Sequence, residues 1–263
     1  MKNVVSVDLK GGLGNMLFQI STGYSLSLKH DMDFIVDLTY YHGGHHFIGK
    51  YMNNILRKLT FSSSHLLYPC MFETTFYYQE LPECVGNTKI NGYFQSEKYF
   101  KQHREEILKL IEIDEISKDK IFTKYSDTLN KNNTCSIHVR RGDYLGLPNH
   151  FKTLTADYYK NAISHFDKDS LFLIFSNDIT WCQESFDFIE NKIFITDLED
   201  FEEMYLMSYC DNNIIANSSF SWWGAWLNQN ENKIVVSPKQ WFGPAFQMNN
   251  TKDLIPENWL LID

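Results

Sequence analysis

The stretch CSIHVRRGDY, residues 135–144, sets the reading of the whole chain. Its first half is an apolar run of strand length; its second half is two adjacent guanidinium groups, a glycine and an aspartate. Arginine forks bond phosphate oxygens in pairs and keep their charge at every physiological pH, so Arg140 and Arg141 at a strand end make a seat for a diphosphate. A bare Arg-Gly-Asp also suits a surface turn with an ordinary ion pair. The tetrad His138, Arg140, Arg141 and Asp143 directly after a buried strand is the more specific signal.

Downstream the pattern is regular. Apolar runs at 135–139, 171–175, 192–195, 213–216 and 233–236 alternate with helical segments beginning near Thr155, Thr180, Phe201 and Ser219. Short buried strands alternating with helices read as a doubly wound parallel sheet. Unusual polar residues follow three of the strands: Arg140 to Asp143, then Ser176, Asn177 and Asp178, then Asn217, Ser218 and Ser219. All lie at carboxyl ends, the edge where open α/β sheets bind ligands. Ser218 and Ser219, opening a helix, offer hydroxyls and N-terminal amides to phosphate, and Asn177 and Asp178 suit a base edge or a ribose. Each also has a plainer role. Ser219 can cap its helix, Asp178 can begin the next one, and Trp222, Trp223 and Trp226 fit a core at helical spacing.

Upstream, 4–9 reads as a strand, followed by the turn GGLGN at 11–15 and the helical pattern LFQISTGYSLSLKH. Strand, glycine turn and helix bring amides and a positive helix end toward an anion, although a tight turn needing positive φ explains the glycines equally well. A second strand is expected at 34–38 and another in KINGYF, 89–94, before a helical stretch at 96–110. The segment YYHGGHHFIGK, 40–50, is a polar aromatic loop in which Tyr40, Tyr41 and His42 suit a carbohydrate acceptor. Its histidines His42, His45 and His46 lack a neighbouring acidic or cysteine ligand at helical spacing, so no metal is expected. Asp31-Met-Asp33 and Asp167-Lys-Asp169 precede strands rather than follow them and read as solvated turn charges. The polar stretch 118–133 is the candidate linker. The expected division is therefore one α/β lobe at 1–120, a second at 134–237, and a C-terminal segment at 238–263.

Composition narrows the function class. The 263 residues are 43% hydrophobic and 16% aromatic, which is a folded globular composition. A net charge of −9 opposes nucleic acid and anionic membrane surfaces, so an anionic ligand has to be held by a local cluster of donors. The apolar run after Met1 is broken at Asp8, and no transmembrane segment is expected. Five scattered cysteines suit reduced thiols in a cytoplasmic compartment. The Asn-x-Ser/Thr sequons at Asn132, Asn217 and Asn249 read as chance matches.

Taken together, GGLGNMLFQ, HVRRGDY, FSND, GYFQSEKY and MYLMSYCDNNIIANSSFSWWGAWL resemble the α-1,2-fucosyltransferases of glycosyltransferase family eleven. The resemblance implies a GT-B-like fold of two Rossmann-like lobes, acceptor-side at 1–120 and nucleotide-sugar-binding at 134–237, with the segment 238–263 able to pack back on the first lobe. It implies an inverting reaction, GDP-L-fucose as donor, a β-galactoside acceptor, a cytoplasmic place that can be peripheral to a membrane carrying the glycan acceptor, and no metal or other cofactor. It implies that Arg140 binds phosphate with His138, Arg141 and Asp143 completing the motif, and that Ser176, Asn177 and Asp178 contact the nucleoside. Ser218, Ser219 and Phe220 become a second phosphate contact, and Gly11, Gly12, Gly14 and Asn15 a loop approaching the donor. Met16 stands where members commonly carry glutamine. Charge growing on the departing β-phosphate is what arginines and helix-end donors stabilise. Asp143 is a candidate base or, alternatively, the ion-pair partner of the arginines. Rival readings are an O-fucosyltransferase, a transferase of another nucleotide-linked deoxysugar, and a non-catalytic glycan- or nucleotide-binding module.

Overall fold

The computed structural model describes residues 2–39, 41, 48–64, 66–131 and 133–263. The chain divides into two compact units, Met1–Asp114 with Asn249–Pro256, and Glu115–Met248 with Glu257–Asp263.

The first unit holds β1 (Val4–Asp8), β2 (Asp33–Asp37), β3 (Phe61–Ser62), β4 (Cys70–Phe72) and β5 (Thr88–Asn91) in the order β3-β2-β1-β5-β4, every pairing parallel. The helix Leu13–Lys29 returns the chain from β1 to β2 and buries Leu13, Met16, Leu17, Ile20 and Leu26 against the sheet. Strands β3 and β4 escape the sequence pattern because they are two and three residues long. The expected helical stretch at 96–110 is instead two tight turns, Glu97–Tyr99 and Lys101–His103, leading into a shorter helix, Arg104–Leu110. Phe100, fully buried with φ −146°, breaks the path.

Charge is buried inside this sheet. Lys89 on β5 donates to Asp8 on β1 at 2.9 Å and to Asp37 on β2 at 2.8 Å, and both Lys89 and Asp37 are buried. Burial alone would push the Asp37 carboxyl up. Hydrogen bonds from Lys89, Thr39 and Leu66 outweigh it and hold the group at about 2.

The second unit is a six-stranded sheet: β6 (Thr134–Val139), β7 (Leu171–Ser176), β8 (Lys192–Phe194), β9 (Asn212–Ile214), β10 (Val235–Pro238) and β11 (Leu260–Ile262). Its order is β11-β10-β9-β6-β7-β8, again wholly parallel. Helices Ala156–Ile163, Ile179–Ser185, Asp200–Tyr209 and Ser219–Leu227 lie where the apolar period places them. The tryptophans are core: Trp222 and Trp223 are fully buried, with Trp259 5.5 Å from Trp222.

Two expectations need correction. The candidate linker is a helix, Glu115–Leu129, belonging to the second unit. Its apolar face is only Ile121 and Tyr125, one turn apart, so the stretch looks patternless; Lys120 pairing with Glu202, and Tyr125 donating to Asp197, anchor it. The end of the chain supplies the edge strand β11, three residues long and missed for that reason.

Candidate functional site

Strand β6 is buried along its whole length and lies between β7 and β9. From β6 the chain runs outward through β7 and β8, then returns to the other side for β9, β10 and β11. The order reverses between β6 and β9, and such a reversal opens a crevice outside the carboxyl ends of the two strands. Arg140 to Asp143 and Asn217 to Phe220 leave the sheet there, with Ser176 to Asp178 next to them at the end of β7.

The turn after β6 is held by its neighbour. The Asn177 side-chain oxygen Oδ1 accepts the backbone amides of Arg141 at 3.0 Å and Gly142 at 3.2 Å, and its Nδ2 donates to Asp143 Oδ1 at 3.3 Å. Gly142 permits this approach, since a Cβ there would lie 2.7 Å from the Asn177 side-chain nitrogen. Arg140 Nη2 donates to Asp143 Oδ2 at 2.9 Å, while Nε stands 2.8 Å from Oδ1 out of line for a hydrogen bond. Arg141 Nε reaches Asp178 at 3.3 Å and its guanidinium sits over the Trp181 ring. Asp178 also caps the next helix, accepting the Trp181 amide, and its own amide donates to the Ser176 hydroxyl. Two guanidinium groups are thus fixed at the strand end before any ligand arrives.

The facing wall comes from β9. Ser218 caps the helix Ser219–Leu227, its hydroxyl accepting the Phe220 amide, and the first turn carries no acidic residue. Amides and the positive helix end are left for an anion. His138, on β6, is buried, its ring 5.3 Å from that of Phe220 and its Nδ1 without a hydrogen-bond partner. Burial, then the charge of Arg140, push the imidazole down to about 3, so the ring is neutral. Asn217, whose sequon is ruled out as a glycan acceptor by its burial, donates to the backbone of Lys152 and Trp241, both at 2.8 Å. Tyr144 donates to the Asn217 carbonyl at 2.9 Å, and burial pushes its phenol up to about 12. Trp181 had no sequence signal, and Tyr144 closed the quoted motif without a role, because what each does here comes from tertiary pairing.

In the first unit the order also reverses beside the first strand, between β1 and β5, but the chain reaches the far edge at β4 before returning inward to β5. Gly11 takes φ +79° at the end of β1, and Gly12 precedes the helix Leu13–Lys29, in which Gly14 is buried. No acidic residue stands in that helix's first turn. Asn15 accepts from Gln95 at 2.6 Å; Lys10 donates to Asn91 at 3.0 Å and lies over the Tyr93 ring. Lys10, Asn91 and Gln95 are additions to the residues read from sequence. Met16, in the same helix, is fully buried. Tyr41 is half-buried, its amide donating to Leu38, while Tyr40, His42, His45 and His46 lie outside the described residues. Asp31 and Asp167 sit in turns at the amino ends of β2 and β7, Asp31 paired with Lys2. Among the described residues no helix is long and apolar enough to cross a membrane.

The model of the family described as glycosyl transferase family 11 matches residues 68–263. An alpha-1,2-colitosyltransferase of Escherichia coli is 30% identical over 99% of this chain and 99% of its own. The O-antigen biosynthesis glycosyltransferase WbnK of the same organism is 31% identical over 96% and 98%. Among solved structures, the NodZ alpha-1,6-fucosyltransferase of Bradyrhizobium, soaked with GDP-fucose, is similar with a TM-score of 0.58 at 12% identity, over 86% of this chain and 93% of that one. The two parallel α/β units are those of a GT-B glycosyltransferase.

Proposed function

The chain belongs to glycosyl transferase family 11, and from that premise we propose that it transfers L-fucose from GDP-L-fucose, with inversion, to the 2-hydroxyl of a terminal β-galactoside in an oligosaccharide or polysaccharide. The observation that carries the reading is the convergence of Arg140, Arg141 and the Ser218-capped helix start on the reversal between β6 and β9. As the acceptor's 2-hydroxyl oxygen bonds to the sugar carbon and releases its proton to water, the bond from that carbon to the diphosphate breaks and its electron pair goes to the β-phosphate oxygen. Positive groups already held in place stabilise that charge more in the transition state than in the ground state. Arg140 is the principal contact, Arg141 the second, and the Ser218, Ser219 and Phe220 amides close the other side. Neutral His138 packs below without adding charge.

Asp143 serves as the partner that aims Arg140, and Asn177 as the clamp that shapes the turn. Ser176 and Asp178 remain on the nucleoside side, with Asp178 also seating Arg141. In the first unit the Gly11 to Asn15 turn forms that unit's ligand-facing edge. No metal enters this scheme.

The donor has one specific alternative. One of the two Escherichia coli relatives is a colitosyltransferase, and colitose is fucose without its 3-hydroxyl. Mass-spectrometric product analysis with GDP-fucose, GDP-colitose and other GDP-sugars against lactose and N-acetyllactosamine decides between them. Fucosylated lactose is the expected product. Exclusive use of GDP-colitose would move the donor, and transfer to no galactoside would remove the acceptor reading.

A further inference from the structure

A cavity of about 410 Å³ lies in the first unit, between the second half of the helix Leu13–Lys29, the turns Glu97–Tyr99 and Lys101–His103, and the loop carrying Tyr78. Small-molecule sites span roughly 300–1,000 Å³, so it is of ligand size. It is not the ligand-facing edge of that sheet. Thr22, its lining residue nearest the glycine turn, stands about 15 Å along the helix axis from Gly12 at 1.5 Å per residue, and the helix runs on toward the amino end of β2.

The floor is polar and already positioned. The buried Ser25 hydroxyl donates to the Tyr99 carbonyl at 3.1 Å, accepts Gln102 Nε2 at 2.8 Å and stands 2.9 Å from His103 Nδ1. These bonds fix both side chains, yet Gln102 Oε1 and His103 Nε2 have no partner among the described residues. Thr22 is fully buried with no partner for its hydroxyl. The Tyr99 hydroxyl accepts the Gln79 amide at 3.2 Å; burial pushes the phenol up to about 12, so its proton is kept and finds no acceptor among the described residues. Groups held in place but unsatisfied are what a hydrogen-bonding ligand completes.

Charge and ring geometry narrow the ligand. Lys29 lies 3.0 Å from Glu83 and 4.0 Å from Glu80, and Lys98 donates to Asp253 at 2.7 Å. An anion therefore meets lysines already neutralised, while the same lysines oppose a cation. The Tyr78 and Tyr99 rings meet edge to face, 4.9 Å apart at 63°, which leaves no parallel slot between them for a purine. A neutral ligand rich in hydroxyls, with C–H faces to lay on a ring, matches both features.

We propose that this cavity is a binding site for a neutral mono- or disaccharide, apart from the site of transfer and independent of the donor and acceptor named above. Its hydroxyls would bond Gln102 Oε1, His103 Nε2 and the Tyr99 hydroxyl, with a pyranose face on Tyr78.

Fluorine NMR of protein carrying 3-fluorotyrosine reads the site without GDP or turnover. Tyr78→Phe and Tyr99→Phe assign the two signals. Galactose, lactose, N-acetyllactosamine and maltose are titrated separately, with inorganic phosphate as the charged comparison. At least one sugar is expected to shift both signals saturably, and phosphate neither. Gln102→Ala should weaken that sugar's Kd roughly tenfold with GDP affinity retained, and His103→Ala should do the same, which covers the case in which one variant does not fold. No sugar moving the two signals, phosphate moving them in preference, or a Kd within about twofold of wild type in the folded variants overturns the proposal. Saturable shifts in a protein that transfers no sugar from any GDP-sugar keep this site and remove the transferase reading; transfer without shifts does the reverse.

Discussion

The Arg141 guanidinium stands 4.0 Å from the centroid of the Trp181 ring while its Nε lies 3.3 Å from Asp178. A cation over an indole and beside a carboxylate is restrained in two directions. The rotamer freedom that a surface arginine would lose on binding phosphate is already lost on folding. The site in the second unit is thus preorganised before the donor arrives.

Removing the ring should therefore weaken the donor without touching the acceptor. Trp181→Ala is expected to raise the Kd for GDP about tenfold. Arg141→Lys, which keeps the charge but loses the planar group, should act similarly. Isothermal titration with GDP reads both; an unchanged Kd in the two variants would mean that the stack has no part in donor binding.

Asp143 separates two mechanisms. As the ion-pair partner of Arg140 it is replaceable by asparagine at a cost below about tenfold in kcat, with GDP affinity falling in parallel. A general base would give the opposite split: transfer lost by orders of magnitude and GDP binding intact. Steady-state kinetics and GDP titration on Asp143→Asn distinguish the two.

Acid should weaken each unit through a different group. His138 is neutral in the folded chain, held at about 3 against an ordinary 6.5, so the unfolded chain binds more protons between those values. Stability of the second unit then falls as the pH drops from 6.5 toward 3. Asp37 is held at about 2 against 3.8, so its contribution is complete above 3.8 and disappears toward 2. Urea midpoints across pH 3 to 7 should lose the upper slope in His138→Asn and keep it in Asp37→Asn. Equal slopes in wild type and His138→Asn would count against a buried neutral imidazole.

Much of this was legible because the informative residues are of rare type for their place. A short run such as 135–139 announces a buried strand, and arginines after it announce a ligand edge. What stayed hidden depends on distant partners. Helix Glu115–Leu129 buries too few side chains to show a period, and β11 keeps Leu260 and Leu261 exposed at the sheet edge. Asn177 looks like a nucleoside contact in one dimension, yet its side chain is committed to the Arg141 and Gly142 amides. Trp181 became visible only once Arg141 was found over it.

In the proposed reaction Arg140, at the end of β6, grips the diphosphate. Calorimetric titration of GDP into wild type and a folded Arg140→Ala variant addresses it directly. Loss of a charge-assisted donor should weaken GDP roughly 10- to 100-fold. An Arg140→Ala protein that binds GDP as tightly as wild type would place the phosphates elsewhere and contradict the account.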